Sequence, residues 1–108
     1  MNKEELKKAI VCSYKKLNPE KIILFGSWCR DEEDKYSDVD IIVIYETKKR
    51  FLDRLEELYL MWDIPIAFDI LAYTPEEFDK MLKEKNPFIE TINRGGEVIY
   101  ERLKSRSS

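Results

Sequence analysis

Three short apolar runs, separated by amphipathic stretches and bounded by proline and glycine, constrain this chain most. They are KIILF (residues 21–25), DVDIIVIY (38–45) and IAFDILAY (66–73). Each is short and rich in aliphatic residues, and each reads as a buried strand. The stretches between them have helical periodicity. Leu6, Ile10, Tyr14 and Leu17 place one apolar face on a helix over residues 3–17, and Asn18-Pro19 stops it. Phe51, Leu52, Leu55, Leu58, Tyr59 and Trp62 predict an inward face on a helix over 51–62, which Pro65 does not let continue. Thr74-Pro75-Glu76-Glu77 forms a capping box with proline at the first helical position. It predicts a helix to about residue 85, with Phe78, Met81 and Leu82 inward. Asn86-Pro87 opens a short helix over 88–94, and Gly95-Gly96 ends it. Residues 97–100 read as a last short strand, and 101–108 as a frayed tail. Strands alternating with helices predict an α/β (α+β) fold, a small mixed β-sheet with helices on at least one face. The 108 residues make a single domain.

Composition narrows the chemistry. Hydrophobic residues make up 44% of the chain, enough for a core and too many for a disordered segment. The 22 acidic residues outnumber the 19 basic ones, which disfavours non-specific binding to nucleic acid or a membrane surface. No apolar run is long enough to span a membrane. The charged N-terminal residues do not resemble a signal peptide, so a cytoplasmic location is expected. There is no histidine, which excludes Ser-His-Asp and Cys-His catalysis and imidazole metal ligands. Cys12 and Cys29 read as small buried or half-buried residues of a reducing compartment rather than a disulfide framework. Any chemistry must come from oxygen ligands, hydroxyls or amines.

Three features combine into a candidate site. Gly26-Ser27 follows the first strand directly, Asp38-Val39-Asp40 opens the second, and Asp69 interrupts the third. Side chains alternate along a strand, so Asp38 and Asp40 point the same way, roughly 7 Å apart. Asp69 shares a face with Ala67 and Leu71, where an isolated carboxylate is costly unless paired or bound to metal. If the third strand lies beside the second, the three acids converge. Like charges so placed raise one another's pKa or recruit hard divalent cations such as Mg²⁺. Gly26 lets a ligand approach the backbone closely. A helix starting there would direct free N–H groups at phosphate, with the Ser27 hydroxyl as another donor. Together these imply a nucleoside triphosphate held for in-line attack. Taken singly, each has a plainer reading. Gly-Ser is an ordinary turn, Asp-x-Asp a solvated start of a strand, and Asp69 a strand-end or lysine-paired acid. The acidic run 31–34 reads as solvated surface, and Trp28 and Trp62 as core or rim aromatics.

Gly26-Ser27, ten intervening residues and Asp38-Val39-Asp40 resemble the signature of the DNA polymerase β nucleotidyltransferase superfamily. The resemblance is greatest to its minimal, single-domain nucleotidyltransferases. It extends through FDILAYTPEEF, which carries Asp69, to NPFIETINRGGEVIYE. It implies that Gly26 and Ser27 hold the triphosphate of ATP. It also implies that Asp38, Asp40 and Asp69 bind two Mg²⁺ ions, and that Asp69 helps to deprotonate an attacking hydroxyl. Arg30 falls where relatives often carry a basic residue, at a position to touch phosphate or solvent. Asp31 stands where many relatives have glycine, so it either tightens the turn or repels the triphosphate.

Larger relatives carry acceptor-binding domains, so here the acceptor is expected on another protein. Many minimal members are antitoxins that pair with a HEPN-domain toxin, a ribonuclease, and some transfer AMP to a toxin tyrosine. The resemblance thus implies protein AMP transfer within a homo- or hetero-oligomer. A contact-only antitoxin and transfer to a small-molecule acceptor are the alternatives.

Overall fold

Asn2 starts the first helix by a reciprocal cap. Its side chain accepts from the Glu5 N–H, and the Glu5 carboxylate accepts from the Asn2 N–H. The computed structural model describes residues 1–32 and 37–103. Residues 33–36, within the acidic run and the stretch before Asp38, and 104–108 of the expected tail lie outside the described residues. Helix α1 (Lys3–Tyr14) continues into a 3₁₀ turn (Lys15–Leu17), and Asn18, at φ 52°, reverses the chain. The other elements are β1 (Lys21–Phe25), β2 (Val39–Ile44), α2 (Phe51–Met61), β3 (Phe68–Tyr73), α3 (Pro75–Lys83), α4 (Pro87–Gly95) and β4 (Glu97–Glu101).

The strands form one sheet in the order β3-β2-β1-β4. β1 runs antiparallel to both β2 and β4, and β2 runs parallel to β3. The sheet is therefore mixed, as the alternating pattern implies. Strand alternation divides the core in two. Ile22, Leu24, Val39, Ile41, Val43 and Ile70 pack against Leu6, Ile10 and Tyr14 of α1 and Leu58 of α2. Ile23, Ile42 and Ile44 pack on the other face against Phe78 of α3 and Ile89 and Ile92 of α4. Helices cover both faces, one more than the sequence demands.

Several expectations need correction. On α2 the buried residues are Leu58 and Arg54, whereas Leu52 is 76% exposed and Tyr59 44%. Arg54 enters because its guanidinium has partners at every turn. It donates to the carbonyls of Lys49 and Ala72 and bidentately to the Glu77 carboxylate. Glu77 also closes the Thr74 capping box, so one carboxylate joins α2, β3 and α3. Cys12 is exposed rather than buried. Glu101 belongs to β4, and the Arg102 N–H donates to the Glu20 carbonyl, so this start of the expected tail is tied down. Among the described residues no helix is long and apolar enough to cross a membrane.

Candidate active site

β2 and β3 pair in parallel with Asp40 directly opposite Asp69, and β1 pairs with β2 so that Phe25 faces Asp40 from the other side. Phe25, Asp40 and Asp69 thus form a row across three strands. The row lies on the sheet face that carries Ile42, Leu71, α3 and α4. The acids stand at the N-terminal ends of β2 and β3. Asp40 is half-buried, while Asp69 and Asp38 are exposed. Asp38 precedes β2 by one residue, near enough for its charge to act on Asp40.

The electrostatics of Asp40 follow from this placement. Burial, and then the like charges of Asp69 and Asp38, push its carboxyl above the ordinary carboxylate range. Arg30 pulls it down more weakly. The three acids therefore share one field, which Arg30 only partly offsets. The donor set, hard carboxylate oxygens without nitrogen or sulfur, is the chemistry that suits Mg²⁺. Among the described residues no three acids or thiols approach closely enough to form a metal-binding group. The fit therefore rests on the Asp40–Asp69 pair and the shared field rather than on an assembled cage.

Gly26 ends β1 at φ 77° and lies beneath the Asp40 carboxyl. A Cβ placed on it would come within 2.4 Å of Asp40 Oδ2. Only glycine permits both the turn and this approach. The turn joins the strand end to the carboxylates, as the spacing of the two motifs implies. No helix starts at this turn among residues 26–32. The chain instead makes a series of turns, with Cys29 and Arg30 N–H groups donating to the Gly26 carbonyl and Glu32 N–H to the Ser27 carbonyl. The Cys29, Arg30, Asp31 and Glu32 N–H groups are taken up within these turns, which leaves the Ser27 hydroxyl as the candidate donor to a phosphate, without a helix dipole behind it.

Arg30 is exposed and donates to the Glu32 carboxylate at 2.6 Å. It reaches a phosphate only by leaving that partner, a small cost for an exposed pair. Asp31 sits at φ 59°, in the left-handed region that favours glycine. Its carboxylate turns to Lys3 Nζ at 3.3 Å. Asp31 is thus spent on the turn's outer side.

Lys3 has no local signal in the sequence as a contributor to this site. Its ammonium also donates to the Cys29 carbonyl at 3.2 Å and pairs with Glu97 at 2.9 Å. Glu97 in turn pairs with Lys7, and both lysines hold its carboxyl below the usual range. One ammonium therefore ties the turn after Gly26 to α1 and β4. The contact spans 26 residues of sequence, which no local pattern encodes.

The mixed four-stranded sheet, with Asp40 opposite Asp69 and the Gly26 turn beside them, has the architecture of a nucleotidyltransferase fold. A crystal structure of a Sulfolobus solfataricus chain described as a nucleotidyltransferase has the same fold. Its TM-score is 0.65 over 95% of this chain and 86% of that one, at 15% identity. Residues 7–105 match the family described as Polymerase beta, Nucleotidyltransferase, and the chain belongs to that family.

Three curated relatives are similar in sequence. MJ1305 of Methanocaldococcus jannaschii, named provisionally as a protein adenylyltransferase, is 39% identical over 75% of this chain and 58% of its own. MntA of Haemophilus influenzae, named in the same terms, is 38% identical over 56% of each chain. MJ0435 of M. jannaschii, also so named, is 31% identical over 78% of this chain and 95% of its own. The chain thus spans little more than half the length of the first two.

Proposed function

We propose that this chain transfers AMP from ATP to a hydroxyl of a partner protein. The observation that carries the reading is the in-register pair Asp40–Asp69 beside the Gly26-Ser27 turn. In-line attack needs acids on one side of the α-phosphorus and a phosphate seat on the other, and this juxtaposition supplies both. The acceptor oxygen bonds to the α-phosphorus, the bond to the β-phosphate oxygen breaks, and pyrophosphate leaves. Gly26 and Ser27 seat the phosphates, and Arg30 swings from Glu32 to meet them. Asp69, exposed at the strand end, takes the proton of the attacking hydroxyl. Asp38, Asp40 and Asp69 would hold two Mg²⁺ ions, which neutralise charge building on the phosphates. Most of the acceleration comes from positioning and charge neutralisation.

A protein acceptor is favoured by the relatives' names, which describe protein adenylyltransferases. Exposed apolar residues fit such a partner, notably Leu52 and Leu60 on α2, 76% and 80% exposed. The resemblance to minimal nucleotidyltransferases narrows the acceptor to a tyrosine of a cytoplasmic HEPN-domain toxin, with this chain as antitoxin.

The test is incubation with Mg²⁺, α-labelled ATP and an extract of the host. The Asp38→Asn/Asp40→Asn double variant is the control. A labelled protein band with the wild type alone is expected. Label in a small molecule instead would overturn the protein acceptor. If the double variant still protects cells from the partner without any labelled band, the chain acts by contact.

A further inference from the structure

The carboxylate row does not end at Asp40. Phe25, its neighbour on β1, forms the floor of a cleft of about 290 Å³ between the strand end and α4. Gly26 lines this cleft as well as underlying the Asp40 carboxyl, so cleft and acids are continuous. Phe88, half exposed, packs edge-to-face on Phe25 with its ring centroid 6.0 Å away, so the two rings form one aromatic side of the cleft. Ile92 and Gly95 complete the α4 side. Arg30 is the charged residue of the lining, and no carboxylate belongs to it. The Cys29 thiol points at the Gly95 carbonyl, 3.3 Å away, across the wall.

We infer that this cleft seats the base of the nucleoside triphosphate. The inference rests on the nucleotide-transfer reading and deepens it. The volume is at the small end of ligand sites and suits one ring system rather than a whole ligand. Two phenylalanine rings offer an edge and a face to a flat aromatic partner. The lining's lack of acids admits an electron-rich ring and an adjoining phosphate, with Arg30 at hand for either. Polar groups in the wall are already engaged, since Cys29 faces Gly95 and the Thr91 hydroxyl donates to the Pro87 carbonyl. The ring is therefore held by contact area, with little hydrogen-bonded discrimination among bases. Asp69 lies on the far side of Asp40, which leaves that side for the acceptor.

Cys29 reports on occupancy. In a Cys12→Ser background it is the sole thiol, and its alkylation rate can be followed by mass. ATP with Mg²⁺ at ten times its Kd is expected to slow alkylation about tenfold, in proportion to the free fraction. Inorganic tripolyphosphate, which reaches the Gly26-Ser27 turn and Arg30 but has no base for the aromatic side of the cleft, is expected to slow alkylation much less than ATP does. Equal protection by both, or by neither, overturns the assignment. Calorimetry on the same sample separates the two claims: ATP binding without selective protection removes the cleft and leaves nucleotide binding intact, whereas no ATP binding removes both.

Gly95→Leu supplies a second arm. A Cβ at Gly95 meets nothing within 4 Å, and the position is helical, so the variant is compatible with the fold. It is expected to weaken ATP binding about tenfold, the loss of one well-packed ring contact, without changing tripolyphosphate binding. Unchanged ATP affinity in a folded variant overturns the inference.

Discussion

Gly26 lies so close beneath Asp40 that a methyl group on the glycine would meet the Asp40 Oδ2 at 2.4 Å. The turn and the carboxylate are one unit, so a change at the glycine is a change at the acid. Gly26→Ala adds this clash to the strain of a side chain at φ 77°. We expect a stability loss of about 1–2 kcal/mol from the backbone alone. Transfer should fall about 100-fold, because displacement of a reacting group by an ångström has that effect. Urea unfolding and the transfer assay measure the two separately. Wild-type transfer in Gly26→Ala would mean that Asp40 does not act from its observed position.

Asp31 provides the opposite case. Its φ of 59° suits glycine, and its ion pair with Lys3 is largely exposed on the Asp31 side. Asp31→Gly relieves about 1 kcal/mol of backbone strain and gives up an exposed pair of lesser value. The variant should have an unfolding midpoint at or slightly above that of the wild type and should retain transfer. A clear loss of stability would show that the Lys3 contact outweighs the strain.

The Arg54–Glu77 pair sets a pH dependence. Hydrogen bonding to Arg54 is the main influence holding the Glu77 carboxyl below its ordinary range. A depressed folded-state pKa stabilises the fold above the unfolded-state value, and the gain is lost as pH falls through the folded-state value. Glu77→Gln keeps the capping box, since glutamine serves there too, and removes the charge. At pH 7 it should destabilise by about 1–3 kcal/mol, because Arg54 keeps its buried position without its anion. The difference from wild type should shrink steadily as pH falls below the ordinary glutamate range. A difference independent of pH would mean that packing or the cap, rather than charge, holds the three elements together.

Tyr14 is fully buried, and its hydroxyl donates to the Leu58 carbonyl at 2.8 Å, joining α1 to α2. Tyr14→Phe keeps the ring and orphans a buried carbonyl, at a cost of about 1–2 kcal/mol. Denaturant unfolding with an unchanged m-value checks this. Stability equal to wild type would mean that Leu58 finds another donor.

Much of this fold could be read from local pattern. Residues 21–25 match β1 at both ends because an apolar run bounded by Glu20 and Gly26 leaves little choice. The Thr74 capping box forms as its spacing requires, since the cap is a contact between residues three apart. What failed was long-range. Leu52 fits the helical period of α2 yet faces out, because Arg54 takes the inward position. Its partner Glu77 lies 23 residues further on. The site divides in the same way. Alternation put Asp69 on the Leu71 face and Asp38 with Asp40, but only the order β3-β2-β1-β4 sets Asp69 opposite Asp40. The sequence leaves open whether a helix starts after Gly26, and residues 27–32 make a series of turns. Lys3 and the Phe25–Phe88 cleft had no local signal, since each depends on elements that meet through the sheet.

The central claim is that the acids and the Gly26-Ser27 turn direct attack at the α-phosphorus. The most direct measurement compares ATP labelled at the α-phosphate with ATP labelled at the γ-phosphate, each with Mg²⁺ and the co-purified acceptor protein. The account predicts acceptor label from the α-position alone, release of pyrophosphate, and no label with Asp38→Asn/Asp40→Asn. Label from the γ-position, or undiminished α-label with the double variant, would contradict it.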